Sequence, residues 1–245
     1  MKPIGSQKIP LVFLNFLGFS PDFKQIPHQK PKSIIVLFSF LFFLCQFPLS
    51  SEGNSLPESP LWNSEQILFI TARAGESTGR LDFFTLNEGE WTAVVEKIPV
   101  RLGRNGLILK ELKREGDGYT PASSYPIQRI IGKQKRKIRN LEYTQIRKNY
   151  HWSDNPKSKN YNQMIKHREK EAVALWNSYI YDLFVVIEHN TNPAILGRGS
   201  MLFLHVWNED NPTSGCVGVS KEVLETLVSV LDGNRKPSIS IQILD

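Results

Sequence analysis

From residue 65 onward the sequence reads as a succession of short apolar runs, each closed by a turn signal. "EQILFITARA" (65–74), "RLDFFTL" (80–86) and "WTAVVEKIPVRLG" (91–103) are rich in Ile, Val, Phe and Thr, and "GESTG" and "NEGE" separate them. Such runs are too short for helices of ordinary length and carry the residue types that pack on pleated surfaces, so they predict strands. "YDLFVVIEHN" (181–190), "GSMLFLHVW" (199–207) and "SISIQIL" (238–244) extend the pattern towards the C-terminus. Residues 104–128, with several glycines and prolines, read as loop with short strand pieces, and the basic stretch 129–170 reads as a solvated face or surface insertion. A short helix is expected over 169–179. A second is expected over 220–233, capped by Ser220, with Val223, Leu224, Leu227, Val228 and Leu231 as one apolar stripe and Asp232-Gly233 as its end. The expected fold class is β-rich with a few helices.

The first fifty residues differ from the rest. They hold five lysines and one acid, so most of the formal net charge of +6 sits there, and the remainder carries 25 basic against 23 acidic residues. That balance gives no support to nucleic-acid binding. Lys30 and Lys32 precede "SIIVLFSFLFFLC", and small residues follow near Ser50 and Ser51. This order describes a signal peptide, or an N-terminal anchor if uncleaved, over residues 1–50. The apolar run falls short of the roughly twenty residues that span a bilayer, and Leu44 is bulky for a lipidation site at Cys45. Residues 51–63 read as a linker and 64–245 as one domain. The expected location is outside the cytoplasm, in the periplasm or cell envelope, with a membrane contact only through the N-terminal segment.

Cleavage would leave Cys216 as the single cysteine, with no disulfide partner in an oxidising compartment. It is either a buried passenger or a nucleophile. Eleven positions upstream, His205 closes a strand, and the intervening loop can return the chain to it. A Cys–His pair needs an imidazole within hydrogen-bond reach of the sulfur. Gly215 leaves room for a substrate backbone, and amides around Gly215 and Cys216 are candidate oxyanion donors. No paired spacing of histidines, no carboxylate cluster and no phosphate loop stands out, so neither metal nor cofactor is expected.

The segment "GSMLFLHVW…PTSGCVGVS" resembles the catalytic signature of L,D-transpeptidases of the YkuD type, in which a histidine is followed by a Ser/Thr-x-Gly-Cys segment. "VRLGRNGL" (100–107), "KREGDGYTPASSYPI" (113–127) and "WSDNPKSKNYNQ" (152–163) resemble further stretches of that family. The resemblance spans about 65–244. It implies a β-sandwich acting on peptidoglycan stem peptides, with Cys216 as nucleophile, His205 as proton acceptor and donor, and Gly215 as a backbone oxyanion donor. Thr120, Pro121, Ser200, Thr213 and Ser214 would lie near the substrate. Three positions depart from the pattern: Ser214 replaces a second histidine, Gly218 replaces an Arg or Asn and Ser123 replaces a glycine; the loop between His205 and Cys216 is also shorter than in many members. They leave a hydrolase on the same scaffold, an L,D-carboxypeptidase or amidase, as the alternative to transfer, with a non-catalytic wall-binding module as a third reading.

Overall fold

The computed structural model describes residues 63–245; the leader, most of the linker and Cys45 lie outside the described residues. Fourteen strands form in chain order. The first seven are β1 (Gln66–Arg73), β2 (Thr78–Asn87), β3 (Glu90–Arg101), β4 (Leu107–Leu109), β5 (Thr120–Pro126), β6 (Arg129–Gly132) and β7 (Glu142–Gln145). The others are β8 (His151–Ser153), β9 (Gln163–Ile165), β10 (Val173–Ala174), β11 (Leu183–Val186), β12 (Phe203–Val206), β13 (Val217–Val219) and β14 (Ser238–Leu244). One helix, α1 (Lys221–Val230), lies between β13 and β14.

Eleven strands make one mixed sheet in the order β4-β5-β14-β1-β2-β3-β13-β12-β11-β6-β7, and β10-β8-β9 form a separate small sheet. Only Ile127 and Gln128 separate β5 from β6. The two halves of the long sheet contribute to one apolar core: Leu68, Ile70, Phe83 and Ile239 from one half meet Leu183, Val185, Leu204 and Val217 from the other. This is the β-sandwich expected from the sequence. Helix α1 closes the core with Leu224, Leu227 and Val228, and each such side chain, fully buried, stabilises the fold by about 1.5–3 kcal/mol. Its start is as expected, the Ser220 hydroxyl accepting from the Val223 amide; the helix stops at Val230, and Leu231 is its buried C-cap.

The central strands are buried on both faces. Leu183 and Val185 of β11, Leu204 and Val206 of β12, and Val217 and Val219 of β13 point into the sandwich core. Phe184, Val186 and Phe203 point to the other face, where Ile131, Ile146, Trp152 and Leu175 complete a second, aromatic cluster. Trp152 meets Phe203 edge-on at 4.9 Å between ring centres. The second cluster corrects two expectations. The stretch 129–170 is not simply a solvated insertion, because it supplies the fully buried Ile131, Ile146 and Trp152. Residues 169–179 do not form a helix: Val173 pairs with Trp152 and the Leu175 amide bonds to the Tyr150 carbonyl, so the chain enters as β10 followed by a single 3₁₀ turn. Among the described residues no helix is long and apolar enough to cross a membrane.

Candidate active site

The site grows from the parallel pairing of β12 with β13. Leu204 lies opposite Val217, His205 opposite Gly218 and Val206 opposite Val219. Strand side chains alternate in direction. With Leu204, Val206, Val217 and Val219 committed to the sandwich core, His205 stands on the other face, where Cys216 packs against the aromatic cluster. Two residues of offset at 3.3 Å per residue and a strand spacing near 4.8 Å put their Cα atoms about 8 Å apart. Both side chains line one cavity of about 320 Å³.

The tautomer of His205 follows from its neighbour. Its Nδ1 lies 2.8 Å from the Val206 carbonyl, which can only accept, so Nδ1 carries the proton and Nε2 keeps its lone pair. Burial holds the imidazole below the ordinary histidine range, partly offset by that hydrogen bond. The Trp207 ring meets His205 at 5.6 Å between centres. Cys216 is partly exposed, and its thiol donates to the Met201 carbonyl at 3.1 Å, not to the imidazole. Burial pushes the thiol up to about 11, against the opposing pull of the Phe203 amide and the Lys113 ammonium. At rest both groups are therefore neutral, and the imidazole is in base form.

A web of backbone contacts holds the sulfur in place. The Thr213 hydroxyl donates to the Cys216 carbonyl at 2.7 Å and accepts from the Gly215 amide at 3.1 Å. The Thr120 hydroxyl accepts from the Gly103 amide at 2.8 Å and approaches the same Cys216 carbonyl at 3.5 Å. Gly215 has φ +140°, and a Cβ there would meet the Tyr119 carbonyl at 2.9 Å. Met201 is also unusual, at φ +53°, a left-handed conformation rare outside glycine. Its amide donates to Asn162 Oδ1, which also accepts from the Trp152 indole, and Asn162 Nδ2 donates to the His189 and Asn190 carbonyls. Asn162 thereby sets the turn whose carbonyl receives the thiol.

These contacts sort the residues anticipated from the sequence. Cys216, His205, Ser200, Thr213 and Ser214 all line the cavity. Thr213 does so with its hydroxyl already engaged. Thr120 is fully buried beneath the Cys216 backbone, and Pro121 is buried in β5 with its carbonyl accepting from Tyr125; neither lines the cavity. The Gly215 amide, anticipated as an oxyanion donor, is turned instead to the Thr213 hydroxyl. Gly218 has a steric reason: a Cβ there would lie 2.5 Å from Trp207 Cβ, so no arginine can stand at that position with Trp207 in place.

Sequence reasoning missed Lys113, Asn162 and Tyr181. Lys113 and Tyr181 line the cavity, as do Glu115 and Asp154. Asp154 is raised by burial and by the negative charges of Glu115 and Glu171. Lys113 and Asn162 lie in the stretches "KREGDGYTP" and "WSDNPKSKNYNQ", so the positions were in view, while their roles depend on contacts made across the fold.

The family model of the L,D-transpeptidase catalytic domain (YkuD) matches residues 77–238. No curated protein matches. Among solved structures, the helical cell shape determining protein Pgp2 from Campylobacter jejuni is similar at 12% identity with a TM-score of 0.39, covering 74% of this chain and 49% of its own. A lysine-to-alanine variant of the same protein gives 12% and 0.40, covering 75% and 49%. The chain thus spans about half the length of those proteins.

Proposed function

This chain belongs to the L,D-transpeptidase catalytic domain family, and from that premise we propose that it is an exported cysteine acyltransferase acting on peptidoglycan stem peptides in the cell envelope. The observation that supports the reading best is the pairing of a free Nε2 lone pair with a thiol on the same sheet face and in the same cavity.

The reaction begins with rotation of the thiol away from the Met201 carbonyl. His205 Nε2 accepts the sulfur's proton as Sγ attacks the carbonyl of a diamino acid joined to a terminal D-alanine. The C=O electron pair moves to oxygen, for which backbone amides around Cys216 are the candidate donors. When the oxygen pair returns, the C–N bond breaks and His205 gives its proton to the departing amine. The Val206 carbonyl stabilises the transient imidazolium through Nδ1–H. The thioester on Cys216 then accepts the side-chain amine of a second stem, which forms a cross-link and frees the thiol.

Cys216→Ala in the full chain should abolish release of D-alanine from tetrapeptide stems and the mass adduct formed with a carbapenem. A variant matching the parent in both measurements would remove the proposal. Weighing the products of muropeptide incubation separates transfer, which yields dimers, from hydrolysis, which yields shortened monomers.

A further inference from the structure

Five titratable side chains besides the thiol line the cavity: Lys113, Glu115, Asp154, Tyr181 and His205. Lys113 is the one lysine or arginine among them. Its side chain is only 3% exposed, on the loop between β4 and β5, and its ammonium is paired with Asp117. Asp117 is itself fixed by the Arg114 amide at 2.7 Å and the Tyr119 amide at 2.9 Å. Burial opposes its charge, and these bonds together with Lys113 hold its carboxyl below the usual range. Lys113 Nζ lies 3.6 Å from the point where a Cβ of residue 215 would stand, immediately before the nucleophile. Gly199 makes the space for its stem, since a Cβ there would lie 3.1 Å from Lys113 Cγ and Cε.

Apart from the Phe203 amide, the other neighbours resist a negative sulfur. The thiol bonds to a carbonyl, an arrangement that favours its neutral form, and Glu115 and Asp154 share the cavity. Residue 214 is a serine and brings no second imidazole. We propose that Lys113, held by Asp117, is a positioning residue for catalysis: its ammonium supplies the permanent positive charge that balances the anion formed on Cys216 when His205 takes the proton. This rests on Cys216 being the nucleophile. Asp117 accepts a hydrogen bond from one of the three ammonium N–H groups, which keeps the ammonium oriented.

The test is the pH dependence of Cys216 alkylation by iodoacetamide, read by site-resolved mass spectrometry on the full chain, which separates Cys216 from Cys45. Lys113→Met should move the inflection to higher pH and slow labelling below it by about tenfold for each unit of displacement. Lys113→Arg should restore the parent profile. Lys113→Gln combined with Asp117→Asn removes both charges while keeping a hydrogen-bonded pair, and should show the same displacement if the methionine variant does not fold. A folded variant whose profile superimposes on the parent's, or whose rate is lowered equally at every pH, overturns the proposal. If Cys216 of the folded parent takes no label at any pH, the nucleophile reading itself fails; if the parent labels and the variants do not differ, only the role of Lys113 fails.

Discussion

Thr213→Val removes one hydroxyl and keeps the shape of the side chain. Thr213 is 4% exposed, and its hydroxyl serves two backbone groups at Cys216 and its neighbour: it donates to the Cys216 carbonyl and accepts from the Gly215 amide. Valine can do neither. A buried donor or acceptor left without a partner costs about 1–3 kcal/mol. Gly215 is buried and its amide would lose that partner outright, whereas the Cys216 carbonyl keeps the weaker approach of Thr120 at 3.5 Å. Counting the first in full and the second in part gives about 2–4 kcal/mol. For a domain of this size each kcal/mol moves the midpoint by about 2–4 °C, so thermal unfolding should shift down by roughly 5–15 °C. Thr213→Ser keeps the hydroxyl and loses one methyl, at about 1 kcal/mol. Circular dichroism melts and urea titrations of both variants check the argument, with the carbapenem adduct as a readout of the site itself. If valine melts within a degree or two of the parent, or serine is as damaging as valine, the hydroxyl does not hold the Gly215–Cys216 backbone.

Burial holds both His189 and His205 below the ordinary histidine value. The unfolded chain therefore binds those protons first, so stability should be level above about pH 6.5 and fall as the pH drops below it. Urea titrations at pH 8 and pH 5 measure this, and a His189→Gln, His205→Gln chain that keeps the same slope would refute the assignment. Gly218→Ala should cost about 1–3 kcal/mol, because the new Cβ meets Trp207 Cβ, an atom that cannot swing away. Displaced Trp207 then disturbs His205, and slower carbapenem acylation should accompany the lost stability; a variant that is parent-like in both would show that the Trp207 contact does not restrict residue 218.

Much of the architecture could be read along the chain, for reasons that are local. β1, β2, β3 and β14 stand close to where β-branched and aromatic residues alternate between turn signals, and α1 begins where Ser220 can cap it. The expected helix over 169–179 failed because its apolar residues are too few to fix a helical face. Leu175 is instead fully buried, and the Tyr150 carbonyl takes its amide. The basic stretch misled for a similar reason: Trp152 and Ile146 are isolated apolar residues among charges, and only packing shows that they form one cluster with Phe203 from another part of the chain.

The sequence by itself determined which residues carry reactive groups, among them the Cys216 thiol with an imidazole eleven positions before it, and which runs would become strands. Tertiary structure alone decided what surrounds them. Register between β12 and β13 brought His205 and Cys216 to one face. Thr120, 96 positions from Cys216, was drawn beneath the Cys216 backbone and out of the cavity lining, and Lys113 was brought beside Gly215. Strand propensity is a property of neighbouring residues, whereas hydrogen-bond partners and local charge depend on segments far apart in the chain, which meet only when the sheet closes.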